Sequence, residues 1–258
     1  MLTHPTYEKL RAMKLFGMAA AWQEQDQKAV YHPMSFDERL GLIVDREMTD
    51  RSSRQMTTRL RKARLRQDAA YEDIDFIKPR GLDRSLIMAL CEGEWIRRHD
   101  NCLITGKTGV GKSYLACALA NKACRDGRNA FYVRARRLFD DLAIAKADGS
   151  FGKQLSALAR VDLLVIDDWG LTGLTTDQAR DLLEILEDRY NRRSTLVVSQ
   201  VPVENWHALM PDPTVADAAL DRLVHNAYRI NVIGESMRKQ NTSVGRSTSA
   251  TDGKEDTP

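Results

Sequence analysis

The residues with the clearest chemical capacity are Gly106-Lys107-Thr108-Gly109-Val110-Gly111-Lys112-Ser113, which fit the pattern G-x-x-x-x-G-K-[ST]. Glycines at these positions let the backbone wrap tightly, so that successive amides converge on phosphate oxygens. A helix starting at the loop aims its positive dipole end at the same anion. The Lys112 ammonium has the reach for β- and γ-phosphates, and the Ser113 hydroxyl is a magnesium ligand, so ATP and Mg2+ are the expected cofactors. The bare pattern arises by chance in about one chain in a hundred of this length, so its flanks matter. Leu103-Ile104-Thr105 reads as a strand entering the loop, and Tyr114-Leu115-Ala116-Cys117-Ala118-Leu119 as a buried helix leaving it. That context argues against a Gly-rich turn that binds nothing.

A second segment, Leu163-Leu164-Val165-Ile166-Asp167-Asp168, is an apolar strand ending in two carboxylates. Such an ending alone often just starts a loop. About fifty residues after a phosphate loop it matches the second element of a nucleotide site. Asp167 then holds magnesium through its outer shell, and Asp168 polarises the attacking water. Glu is commoner at the second position; Asp is one methylene shorter.

These residues need a scaffold, and the hydrophobic pattern supplies one. From 101 to about 235, short Val/Ile/Leu-rich runs alternate with helical patterns. The expected strands are Cys102–Thr105, Ala130–Val133, Leu163–Ile166, Thr195–Ser199 and Ile230–Val232. Runs without polar alternation suit strands covered on both faces, and so a parallel sheet with crossover helices. The clearest crossover spans 176–190 behind a capping box, Thr175-Thr176-Asp177-Gln178. Ala179, Leu182, Leu183, Leu186 and Tyr190 form its apolar stripe, with Arg180, Asp181, Glu184, Glu187 and Asp188 facing away.

Residues 1–70 read as a small all-α module. A first helix carrying Tyr7, Leu10 and Met13 runs through Trp22 and breaks at His32-Pro33. A second starts at the capping box Ser35-Phe36-Asp37-Glu38 and places Phe36, Leu40, Ile43 and Val44 at helical spacing. Residues 71–100 form a linker and docking helix, with a turn at Lys78-Pro79-Arg80-Gly81. The nucleotide domain covers 101–240. Residues 241–258 are too poor in apolar side chains to offset their ordering entropy, and read as a disordered tail.

The 258 residues are 43% hydrophobic, which suits an ordinary globular chain. No apolar stretch approaches membrane-spanning length, and the first thirty residues lack a signal-peptide block, so a cytoplasmic protein with no membrane partner is expected. Cys91, Cys102, Cys117 and Cys124 are too sparse for a disulfide framework and read as buried thiols. The net charge of +3 says little, but its distribution is uneven. Eight basic residues between Arg46 and Arg66 face two acids. Such a run is either a solvated helix face or an arm that contacts nucleic-acid phosphates.

Taken together, Gly106–Ser113, Leu163–Gly170, Val198-Ser199-Gln200, Leu220-Asp221-Arg222-Leu223-Val224-His225 and Gly234-Glu235-Ser236-Met237-Arg238 resemble the IstB family of insertion-sequence ATP-binding proteins. These are relatives of the DnaC-type helicase loaders in the AAA+ initiator group. The likeness implies an α/β AAA+ P-loop domain with a five-stranded parallel sheet behind the helical module. It also implies an ATPase that forms a homo-oligomer on double-stranded DNA and recruits a transposase. By the same resemblance Gln200, with Ser199, senses the γ-phosphate. Arg222 becomes an arginine finger for a neighbouring subunit, and Arg238 a sensor from the C-terminal lid. On a helix from about 214 to 227, Arg222 lies roughly 150° from the cluster of Leu220, Leu223, Val224 and Ala227 and points away from its own core.

The likeness favours the DNA-arm reading for Arg54, Arg59, Arg61, Lys62, Arg64 and Arg66. A smaller cluster, Arg134, Arg136 and Arg137, reads equally as a DNA-facing element or an exposed helix end. No base-reading module is visible, so recognition should be largely sequence-tolerant. Two other functions compete: a DnaC-like loader of a replicative helicase, and a nucleotide-gated DNA clamp with negligible turnover. If the arm neutralises phosphates, log affinity falls with log salt by about 0.9 per contact. Neutral replacements of Arg59, Arg61, Lys62 and Arg64 should flatten that slope in DNA titrations; an unchanged slope removes the arm as a DNA contact.

Overall fold

Five parallel strands carry the site: β1 (Asn101–Gly106), β2 (Ala130–Arg134), β3 (Leu163–Trp169), β4 (Ser194–Ser199) and β5 (Ala227–Val232). They are ordered β2-β3-β4-β1-β5 in a computed structural model that describes residues 4–237. Each expected strand is present, with ends extended by one to three residues. Cys102 faces Leu196 on one side and Tyr228 on the other, so β1 is paired along both edges. The chain leaves β1 for β2 at one sheet edge, then returns through β3 and β4 to β1's side. That reversal opens a crevice at the carboxyl ends of β1, β3 and β4, where open α/β sheets bind ligands.

The sheet's two faces are closed by different helices. Helix α6 (Lys112–Arg125) packs on one of them, and its run Leu115, Ala116, Cys117, Ala118, Leu119 and Ala120 is buried on every side, between the strands and the segments that cover it. On the other, Leu103, Leu164, Ile166 and Val197 join a core with α7 (Ala135–Ala147), α8 (Phe151–Arg160), α9 (Thr176–Arg189) and α10 (Pro213–Val224). Fully burying each such side chain is worth about 1.5–3 kcal/mol. All four cysteines are buried and none is in a disulfide. Among the described residues, no helix is long and apolar enough to cross a membrane.

Helix α9 has both capping-box bonds between Thr175 and Gln178. Its apolar stripe differs from the expectation at three points. Ile185 is in the core, Tyr190 is partly exposed, and Asp181 is buried because Lys146 of α7 pairs with it at 2.5 Å. Arg189 is also buried and fans its guanidinium over the Leu158, Val161 and Ser194 carbonyls and the Thr195 hydroxyl. Burial, with Arg193 nearby, draws its pKa down to about 9.

The chain divides into two units between Lys62 and Ala63. The first is helical, but its opening helix is two: α1 (Pro5–Ala12) and α2 (Phe16–Gln27). Lys14 takes φ +61° between them while the Lys14 and Leu15 N–H groups bond back to Arg11 and Leu10. This left-handed helix stop usually carries Gly, so Lys at that place gave no signal. Helix α3 (Phe36–Ala63) starts at the expected Ser35–Glu38 box. Ile43 of its anticipated stripe is buried, whereas Phe36 is 68% exposed and Leu40 and Val44 are each 40% exposed. Residues 84–97 form α4 (Arg84–Glu92) and α5 (Glu94–Arg97), part of the second unit.

Gly106 ends β1 at φ +144°, and a Cβ there would stand 2.0 Å from the Val232 carbonyl oxygen on β5. Neither backbone can yield without breaking the sheet. Gly106→Ala should therefore cost at least about 2 kcal/mol, lowering Tm by roughly 4–8 °C. Gly127, at φ +91° with nothing within 4 Å of its absent Cβ, should tolerate Ala with about half that loss. Equal melting shifts for the two would refute the close-approach argument.

Candidate nucleotide site

The loop following β1 delivers its residues to a cavity of about 580 Å³ at the carboxyl ends of the strands. Thr108, Gly109, Gly111, Lys112 and Ser113 line it, whereas Val110 is fully buried beneath and Lys107 is exposed outside. Helix α6 begins at Gly111, φ +101°, with no side chain capping it. By contrast Asp83, Thr175 and Asp212 cap α4, α9 and α10. The start of α6 shares that lack of a side-chain cap with α2, α7 and α8, but it opens onto the cavity, where its first-turn N–H groups suit an anion. Lys112 is 7% exposed and donates to the Lys107 carbonyl at 2.8 Å. Burial draws its ammonium below the usual lysine pKa, offset in part by Asp167 and Asp168.

Across the cavity, Asp167, two residues before the end of β3, is only 1% exposed. Its Oδ2 accepts the Tyr132 hydroxyl at 2.6 Å, and its Oδ1 accepts the Asp168 N–H at 2.7 Å. Burial raises the Tyr132 pKa, and the bond to Asp167 adds to that, so this phenol stays a donor. Asp168 sits at φ +57°, at a register shift between β3 and β4 that spans Ile166 to Trp169. Left-handed backbone admits Asp and Asn more readily than other side chains, which accounts physically for Asp where Glu is commoner. The bulge turns consecutive carboxylates toward one cavity, where strict alternation would send them to opposite faces.

Gln200, just past β4, also lines the cavity and accepts a hydrogen bond from Thr108. Ser199 lines the cavity beside it. Its hydroxyl is fully buried, donating to the Trp169 carbonyl and accepting the Val201 N–H, so it fastens the strand end. The Gly234–Met237 segment reaches the loop: the Met237 N–H donates to the Gly109 carbonyl, and Ser236 occupies the space beside Gly109. Arg238 and the tail 241–258 lie outside the described residues.

Three expectations about arginines change. Arg222 is on α10, which ends at Val224, so Ala227 belongs to β5. Its guanidinium does not point free: it pairs with Glu187 at 3.0 Å, bonds the Ala218 carbonyl at 2.8 Å and is 27% exposed. The Arg222 carbonyl bonds Asn101 at the start of β1, the sheet edge opposite the cavity. Arg54 is not an idle arm cation. It pairs with Glu47, which is buried and also accepts the Gly17 and Met18 N–H groups at the start of α2. Arg66 is not on the basic helix, which ends at Ala63; it lines the cavity, 3.8 Å from both Asp167 and Asp168.

Four further basic candidates, Arg64, Arg134, Arg136 and Arg137, have partners as well. Arg134 pairs with Asp168 at 3.6 Å, and Arg64 lies over the Phe131 ring. Arg136 and Arg137 remain largely exposed beside Asp140 and Asp141. Arg61 and Lys62 form the last turn of α3, and Arg59 lies just before it.

Sequence reading missed two contributors. Arg80 reaches over the loop to the Asp75 and Val110 carbonyls, and its Nε is buried without a partner. No local pattern marks it. Tyr132 did carry a signal, since a hydroxyl in an otherwise apolar parallel strand needs a buried partner.

The donor set fits magnesium held chiefly by phosphates. Among the described residues no cluster of three or more His, Cys, Asp or Glu could cage a metal. Ser113 offers a hydroxyl and Asp167 a carboxylate at the cavity, and Mg2+ takes few protein oxygens beside substrate phosphates. Tyr132→Phe should leave a buried carboxylate oxygen short of a donor at a cost of about 1.5–3 kcal/mol in urea unfolding. An unchanged unfolding midpoint would show that the bond contributes nothing.

Comparison with known proteins agrees with this geometry. The chain is 52% identical over 239 residues to a Sinorhizobium fredii protein named as insertion sequence ATP-binding protein y4pL, covering 93% of this chain and 98% of that one. The DnaC helicase loader structure superposes with a TM-score of 0.52 at 20% identity, covering 67% of this chain and 98% of that one. AMPPCP-bound DnaA from Aquifex aeolicus gives 0.56 at 16%, covering 71% and 57%. The fold is therefore the AAA+ P-loop fold. The family model for IstB-like ATP binding proteins matches residues 8–245, and the chain belongs to that family.

Proposed function

We propose that this chain is an ATP-dependent, DNA-binding ATPase that assembles on target DNA and recruits and stimulates the transposase of an insertion sequence. The observation that carries this reading is the meeting of an uncapped helix start, Lys112 and the Asp167–Asp168 pair in one cavity at the carboxyl edge of a parallel sheet. The names of the relatives, which describe insertion-sequence ATP-binding proteins, supply the setting.

Residues 106–113 wrap the triphosphate, and Lys112 neutralises its β- and γ-oxygens. Ser113 and Asp167 would hold Mg2+, which would supply neutralisation of phosphate charge. Asp168 orients the attacking water and accepts its proton. Gln200, steadied by Thr108, reads the γ-phosphate. Arg222 serves a neighbouring protomer's site, exchanging Glu187 for that protomer's phosphate, so turnover requires oligomers. Arg238 follows the latch at Met237 and acts as the lid sensor. Arg59, Arg61, Lys62 and Arg64 contact the DNA backbone without reading bases, and Arg136 and Arg137 add a second set. A clamp with negligible turnover is the second reading, favoured by the two arginines that occupy Asp168.

Lys112→Ala should abolish ATP binding in calorimetry. Arg222→Ala should retain binding but lose about 10³-fold or more in turnover at concentrations that permit assembly. Full turnover by Arg222→Ala removes the finger, and wild-type binding by Lys112→Ala removes the site. Wild-type protein that binds ATP and DNA yet releases no phosphate favours the clamp.

A further inference from the structure

Arg66 belongs to a segment that the fold fixes beside the phosphate loop. Its backbone N–H and that of Gln67 face the Cys117 thiol on α6; burial pushes that thiol's pKa up, and the two amides partly offset it. Nearby, the Tyr114 hydroxyl bonds the Ala70 carbonyl. The stretch of chain after α3 is thus pinned to the helix that begins at the loop. From there the Arg66 guanidinium enters the cavity lined by Lys112, Ser113 and Gln200.

Its donors are only partly engaged. One donor meets the Tyr132 hydroxyl, but both carboxylates stand 3.8 Å away, beyond hydrogen-bond length, so N–H groups remain for a closer acceptor. Burial works against the Arg66 charge, but Tyr132, Asp168 and Asp167 outweigh it and hold its pKa above the usual arginine value. Arg134 also faces Asp168 but does not line the cavity. Arg80 also lines the cavity, with both terminal nitrogens given to backbone carbonyls and only its Nε unpaired, and Arg222 is held by Glu187 at the opposite sheet edge.

We propose that Arg66 is a phosphate-binding residue acting in its own subunit, whose planar fork takes the terminal phosphate of a bound nucleoside triphosphate and so discriminates triphosphate from diphosphate. The proposal rests on the nucleotide site proposed above. The carboxylate end of the cavity, beyond Lys112, is where a third phosphate would project. A guanidinium matches two phosphate oxygens at once, which a lone ammonium cannot do. A diphosphate ends short of it.

The test is calorimetric titration of the full chain with a non-hydrolysable ATP analogue and with ADP, both with Mg2+. Arg66→Ala should weaken the triphosphate about ten- to a hundredfold, the scale of a lost charge-assisted contact, and leave ADP within about threefold. Arg66→Lys, keeping the charge but losing the fork, should recover part of the triphosphate loss. Equal losses for both nucleotides, no loss, or tighter triphosphate binding would each overturn the proposal. Wild-type protein that binds neither nucleotide would fail the underlying site as well, whereas wild-type binding matched by Arg66→Ala fails Arg66 alone.

Discussion

A carboxylate almost wholly removed from solvent, near the end of a parallel strand, is the constraint around which the second unit is organised. Burying such a group costs several kcal/mol unless its oxygens are met by donors. Asp167 has them because β2 lies beside β3 in register, Arg134 opposite Asp167, which brings Tyr132 within reach. The bulge then turns the Asp168 N–H onto the other oxygen. Order of strands, register and backbone irregularity all meet at this one side chain, which lines the cavity.

Much of this is legible in the sequence, and the reasons are local. The five strands declare themselves by short β-branched runs, the loop by glycines that no other residue replaces, and α3 and α9 by reciprocal caps written within four residues. The failures share a different origin. Lys14 adopts a glycine-like conformation without being glycine. Asp181 is buried because Lys146, thirty-five residues earlier, reaches it. Arg222 looks unattached from its own helix, since helical geometry describes one element and Glu187 is on another. Long-range pairing of charged side chains has no period in the sequence.

The basic run shows the same lesson in a more consequential form. Read as a charge density, it is one arm. In space its members go separate ways. Arg54 is drawn to Glu47, itself held by two α2 amides, while Arg66 turns to the carboxylates of the second unit. The α3 cations nearest its end, Arg61 and Lys62, lie only a few residues before Arg66 along the chain.

The motif's first glycine answers to a different master from the rest of the loop. Gly106 is dictated by the β5 carbonyl, a demand of architecture that persists whether or not anything is ever bound. Lys112 and Ser113 line the cavity instead. Were a copy of this chain released from selection for chemistry but still required to fold, its motif would erode unevenly, cation first and opening glycine last. A surviving fragment of the signature would then attest to sheet geometry, not to catalysis.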